Sequence, residues 1–96
     1  MNNLVIVGRL VSNPEIFGEE IKSCKITLAV NRNFKNEEGV YETDFIPCIL
    51  YKMIGQTTAE YCEKGDLIGI KGRLQTLDGK LVVVAEKVSF LSSGRK

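Results

Sequence analysis

The sequence has 96 residues, 44% hydrophobic and 26% charged, with a formal net charge of +1 and no histidine. That length fits one domain, and a chain of this size buries somewhat over about 60% of the surface its unfolded form exposes. Without histidine the usual base of Ser and Cys nucleophiles is missing, the near-neutral charge leaves nucleic-acid attraction to local stripes, and no apolar run reaches the roughly 18 residues of a membrane span.

The chain opens on "LVIVGRLV" (4–11), apolar on both faces, as in a strand buried on both sides or lying in a subunit contact. Nothing basic precedes it, so the N-terminus reads as a first strand and not as a signal peptide. "IKSCKITLAVNR" (21–32) alternates, with Ile26, Leu28 and Val30 on one face and Lys25, Thr27 and Ala29 on the other. A charged loop over 33–42 follows. "TDFIPCILY" (43–51) alternates again, with Ile46, Cys48 and Leu50 inward and Phe45, Pro47, Ile49 and Tyr51 outward. Pro47 cannot donate to a ladder, which predicts a bulge or an edge there. Thr57 and Glu60 have capping-box spacing and predict a short helix over 58–63, ended by Gly65 in a left-handed conformation. "DLIGIKGRLQT" (66–76) and "KLVVVAEKVSFL" (80–91) flank Asp78-Gly79, a two-residue hairpin signal. Glycines 8, 69 and 72 inside strands mark bulges or sharp coiling. "SSGRK" (92–96) reads as a short frayed tail.

Five strands, with one short helix between the third and fourth, predict an all-β fold: a five-stranded Greek-key barrel of the OB type over 1–91. A half-open sheet under a covering helix is the alternative. Cys24, Cys48 and Cys62 are an odd number with no C-x-x-C pair, so they read as small buried apolar residues. Neither a disulfide framework nor a zinc site is expected, and the cysteine usage favours an intracellular protein. Asp44, Asp66 and Asp78 fall at strand edges or turns, and no phosphate loop or dinucleotide fingerprint is present. No catalytic set, cofactor or metal is expected.

Four of the seven aromatics, Phe34, Tyr41, Phe45 and Tyr51, lie within 33–51. If Ile46, Cys48 and Leu50 fill a barrel, Phe45 and Tyr51 must point outward from one strand face, about 20 Å apart. Two outward rings form a stacking platform for nucleobases, worth about 1–3 kcal/mol per base without regard to sequence. Basic residues interleave with it: Arg9 on the outer parity of the first strand, Arg32 and Lys35 around Phe34, Lys52 after Tyr51, Lys71 and Arg73 on the fourth strand. Rings for bases and cations for phosphates suit a single strand. The alternative is that these rings pack under the helix or in a dimer contact. Phe17, Tyr61 and Phe90 read as packing residues, Tyr41 is left open, and Glu37 and Glu38 oppose phosphate locally.

"MNNLVIVGRLVSNPEI", "ITLAVNRNFKNEEG" and "ETDFIPCILYKMIGQTTAEYCEKGDLIGIKGRLQT" resemble, in order and spacing, the bacterial and phage single-stranded DNA-binding protein family. The resemblance implies a non-enzymatic, cytoplasmic OB-fold protein that coats single-stranded DNA in replication, recombination and repair. It implies a homotetramer, or a dimer, joined through the first strand. It also implies base stacking by Phe34, Phe45 and Tyr51, with phosphate contacts from basic residues of the loops and outer strands. Four departures qualify it. Tryptophan, frequent at the stacking positions, is absent, which implies weaker binding per base. "TLDGKL" is a tight hairpin where many members have a longer basic one. Pro47 takes a place that is commonly polar or basic, so no phosphate contact carries over there. The chain ends on basic "SSGRK" instead of an acidic tip that recruits replication and repair enzymes, so such partners are left open. A primosomal-type accessory protein bridging replication proteins, or a face used for protein contact, remains the rival reading.

Overall fold

Strands that alternate on one side of a core must curl and close if that core is to be covered with so few residues. The structure, a computed structural model, describes residues 1–94; Arg95 and Lys96, the end of the expected tail, lie outside them. The described residues form β1 (Leu4–Leu10), β2 (Glu15–Phe17), β3 (Ser23–Lys35), β4 (Tyr41–Leu50), α1 (Lys52–Tyr61), β5 (Leu67–Leu77) and β6 (Lys80–Ser92). β1 pairs with β5, β5 with β6, β6 with β4 and β4 with β3. β3 returns to β1 at Ala29–Arg9 and Leu28–Leu10, and this closes the ring. Every ladder is antiparallel except a short parallel one at Cys48–Val83 and Ile49–Val84. The expected five-stranded Greek-key barrel therefore forms, closed and not half-open, with its helix between the third and fourth barrel strands. Closure gives every barrel strand a partner on both sides over part of its length.

The alternation places the interior as expected. Ile26, Leu28, Cys48 and Leu50 are buried together with Leu10, Cys24, Ile68, Ile70, Val83 and Ala85, while Val30 and Ile46 pack on that cluster half-buried. Burial of this apolar surface, at about 25 cal/mol per Å², is the main stabilising contribution. At Gly72 the Val84 carbonyl, and at Gly8 the Ala29 carbonyl, stand where a Cβ would go. The barrel is curled tightly at both points, and a register shift sits between Lys71 and Gly72. Gly69 meets only ordinary contacts and lies at neither of the shifts in its ladder. Asp78 and Gly79 have φ of 51° and 77°, the two left-handed residues that a tight hairpin of this hand requires. Asp66 is buried, and its carboxylate accepts from the backbone N–H groups of Glu63 and Gly94, both at 3.0 Å.

Several expectations need correction. β2 was not foreseen: three exposed residues pair with the start of β3 at Glu15–Lys25, Ile16–Cys24 and Phe17–Ser23. The helix begins at Lys52, not at residue 58, and Thr57 lies inside it, capping nothing. Its first N–H, on Lys52, donates to Ser23 Oγ at 2.9 Å, so a distant strand does the work of a local cap. Gly55 lets the helix lie against the backbone of Leu50 and Cys24. Gly65 is left-handed as expected, with φ of 93°, but α1 has already ended at Cys62. Half of the loop expected over 33–42 is strand, its tip reduced to 36–40 and built on Asn36, whose Oδ1 accepts from the N–H groups of Glu38 and Val40 at 2.9 and 3.0 Å. β6 runs through Ser92, one residue into the expected tail. No helix among the described residues is long and apolar enough to cross a membrane.

Candidate nucleic-acid interface

Strand register lays out the outer surface of β3 and β4 row by row. Phe45 stands opposite Ala29, which stands opposite Arg9, so a ring and a cation share one row two strand spacings apart, about 10 Å. Arg9 also donates from Nη1 to the Gly65 carbonyl at 3.0 Å. The neighbours of Phe45 are small: Ala29 across, Thr27 and Pro47 on one side, and on the other Thr43, whose hydroxyl is hydrogen-bonded to Asn31 Oδ1 at 2.7 Å. The ring is left 64% exposed. Pro47 pairs with Thr27 without a register shift, and the β6 ladder begins one residue later, at Cys48. Pro47 therefore occupies the free edge of β4, where its missing N–H costs no ladder bond.

Ile49 departs from its expected outward exposure. It does lie on the outer parity, but it is buried with Val82 and Val84 in a second small cluster, because β4 meets β6 there. An apolar island thus separates Phe45 from Tyr51. Tyr51 is 39% exposed and meets Phe17 edge-on, with ring centroids 6.4 Å apart at 75°. Phe17 keeps 38% of its surface open, so it packs and is also accessible.

Phe34 and Lys35 sit on an arm beyond a break in register: Asn31 pairs with Thr43, and the next pair is Lys35 with Tyr41. β3 takes four steps there against two on β4, and that bulge carries Arg32, Asn33 and Phe34. Phe34 is exposed, and Lys35 Nζ lies 5.7 Å from the centre of the exposed Tyr41 ring.

The basic residues divide. Arg32 does not face open solvent with a free fork: Nε and Nη2 donate to the two oxygens of Asp44 at 3.1 and 2.9 Å, and Nη1 donates to Glu42 at 2.8 Å. This hydrogen bonding holds the Asp44 carboxyl below its usual range and raises Arg32 further. Asn36 Nδ2 extends the clamp to Glu42 at 3.0 Å. Lys71 corrects a second expectation. It pairs with Val5 on one side and Lys87 on the other, so it lies on the β1–β5–β6 face, across the ring of strands from β4 and away from Phe45 and Tyr51. Arg73 stands opposite Val84, at the margin of the ring-bearing face, with Nη1 3.6 Å from Glu86 and Nη2 donating to Gln75 at 3.2 Å. Lys52 is exposed directly after Tyr51, with φ of 55°.

Lys25 was not singled out from the sequence. It is exposed and stands opposite Ile49, between the rows of Phe45 and Tyr51. The alternation of β3 already carried the signal, since Lys25 shares its face with Thr27 and Ala29. Burial, then nearby Cys62, pushes the Cys24 thiol up to about 11, burial pushes Cys48 up to about 12, and burial followed by nearby Asp66 raises Cys62. Among the described residues there is no cluster of three or more His, Cys, Asp or Glu placed to hold a metal.

The family model described as "Single-strand binding protein family" matches residues 1–91. Single-stranded DNA-binding protein 3 of Listeria innocua serovar 6a is 42% identical over 104 residues, covering 97% of this chain and 65% of that protein. The Single-stranded DNA-binding protein of Bacillus cereus is 41% identical over 102 residues, covering 95% of this chain and 60% of the relative. Single-stranded DNA-binding protein 1 of Streptococcus pyogenes serotype M18 is 38% identical, with 93% and 74% covered. The chain thus spans 65% and 60% of the length of the first two. Among solved structures, the "Plasmodium falciparum SSB complex with ssDNA" superposes with a TM-score of 0.81 at 20% identity, covering 96% of each chain. The Thermus aquaticus single-stranded DNA binding protein gives 0.78 at 24% identity, covering 99% of this chain and 52% of that one. At such identities the likeness shows the fold.

Proposed function

The chain belongs to the single-strand binding protein family, and on that premise we propose that it binds single-stranded DNA without reading its sequence, coating and protecting the strand in replication, recombination and repair. The observation that carries this reading is Phe45, an aromatic ring left open among small neighbours in one row with Arg9. Phe34, Phe45 and Tyr51 stack on bases. Arg9, Lys25, Lys35 and Lys52 take phosphates, with Arg73 at the margin. Arg32 serves mainly as the clamp of the arm, and Lys71 lies too far round the barrel to share the path. Stacking asks only for a π-face, so every base is accepted. Each phosphate neutralised contributes about −0.7 to the slope of log affinity against log salt.

A homo-oligomer joined through β1, dimer or tetramer, belongs to the same proposal. Val5 and Val7 are 71% and 47% exposed on that strand, and a second copy would cover them. The protein acts in the cytoplasm, where such DNA is handled.

The test is the double substitution Phe45→Ala and Tyr51→Ala. Binding to oligo-dT falls by about 2–6 kcal/mol if two well-separated rings add, while the circular dichroism spectrum keeps its β signature. Loss of the fold would mean that the rings are core. Retained affinity would remove the stacking mechanism.

A further inference from the structure

β2 adds a feature that the alternating pattern did not announce. Phe17 pairs with Ser23, and Tyr51, next after the Leu50–Cys24 pair, falls opposite Ser23 from the other side. Phe17 and Tyr51 are therefore on the same outer face, flanking a small residue that is itself buried beneath them. Because Ser23 is short, the rings meet over it, centroids 6.4 Å apart and 75° from parallel. Two rings at nearly a right angle form a corner: a planar group lying on one presents its edge to the other.

We propose that this corner is a further nucleobase subsite, so that the DNA path continues from Phe45 past Tyr51 onto β2. The inference rests on the single-strand reading given above. Cations suited to a backbone surround the corner. Lys22 precedes Ser23, Lys52 follows Tyr51, and Lys25 lies two residues along β3; all three are exposed and make no ion pair with a described residue. Lys22 Nζ rests on the Gly18 carbonyl at 3.0 Å, a neutral contact that a phosphate oxygen can replace. Three carboxylates border the path, Glu15 opposite Lys25 and the exposed Glu19 and Glu20 of the turn between Phe17 and Lys22, and they are the local opposing charges. The corner makes Phe17 a base-contacting residue in addition to a support for Tyr51.

Ultraviolet cross-linking to oligo-dT carrying bromodeoxyuridine separates contact from support. Trypsin releases Phe17 in the peptide 10–22, and Phe45 with Tyr51 in the peptide 36–52. The unaltered protein gives adducts on both. Phe17→Ala and Phe17→Leu keep the adduct on 36–52, lose the one on 10–22, and weaken binding about five- to 150-fold, the loss of one stacked base. The leucine variant keeps bulk against Tyr51 and so controls for packing. Adducts on 36–52 with 10–22 clean in the unaltered protein would overturn the subsite alone, as would a leucine variant that binds undiminished. No binding of oligo-dT by the unaltered protein would overturn the single-strand reading and the subsite with it.

Discussion

On the β3–β4 face, Phe45 stands open beside Ala29, Thr27 and a Thr43–Asn31 hydrogen bond, with Lys25 and Lys52 along the same face. On the β1–β5–β6 face, Val5 and Val7 are exposed around Gly69, with Lys71, Lys87 and Leu91 beside them. Both faces show apolar side chains to water, and both carry lysine. The difference lies in shape and in spacing. Flat rings left open to solvent offer π-faces to a planar partner that also brings negative charge. Branched aliphatic side chains over a glycine offer a surface that only another apolar surface covers well. On the proposed function, the first face takes nucleic acid and the second a further copy of the chain.

The interior shared by both faces sets the scale of the largest effect. Leu28→Ala removes a fully buried side chain and costs about 2–5 kcal/mol of folding stability, read by chemical denaturation. It weakens DNA binding and assembly together, because both faces lose their support. Phe45→Ala acts on one face only: about 1–3 kcal/mol of oligo-dT affinity is lost, and the denaturation midpoint stays where it was. Its reciprocal is Val5→Asp with Val7→Asp, which lowers the light-scattering mass by a whole-number factor while a single oligo-dT contact per protomer survives. A reversal of these two results would exchange the faces.

Lysines sharpen the same contrast at smaller scale. Lys25→Ala flattens the slope of log affinity against log salt by about 0.7, one phosphate contact fewer. Lys71→Ala leaves that slope unchanged at equal assembly state. Equal slopes for the two variants would place Lys71 on the DNA path after all. The smallest effect concerns the arm. Hydrogen bonding to Arg32 depresses the Asp44 carboxyl below its unfolded value. The clamp therefore contributes fully above about pH 4 and is lost as pH falls through the depressed value. Oligo-dT affinity measured from pH 6 to 8 shows no step from this pair; a step there would mean that the clamp titrates in the neutral range.

The sequence carried most of the barrel because the period of two is local. Ile26, Leu28, Cys48 and Leu50 announce their side of the strand without any knowledge of partners, and Asp78-Gly79 announces its turn. What stayed hidden depends on contacts between distant residues. Ile49 has the outward parity of Phe45, and only the β4–β6 ladder, reached 35 residues later at Val84, covers it. The start of α1 is fixed by Ser23, 29 residues upstream of Lys52, so a search for local caps finds Thr57 instead. β2 is too short to show alternation, so nothing in the sequence places Phe17 on an outer face. Charges were the least legible part. "NRNFK" shows a basic residue at 32, but not that Asp44 and Glu42 already occupy its fork. "IKGRLQ" shows Lys71 on an outer face, but not which one.

The most direct test leaves Tyr51 as the sole tyrosine, through Tyr41→Phe and Tyr61→Phe, in a chain that has no tryptophan. Oligo-dT is titrated in while binding is followed by anisotropy of a labelled strand and stacking by tyrosine emission. Emission that collapses in step with saturation, in a protein whose circular dichroism is unchanged, is the predicted result. Saturated binding with Tyr51 emission undisturbed would contradict a base lying on that ring.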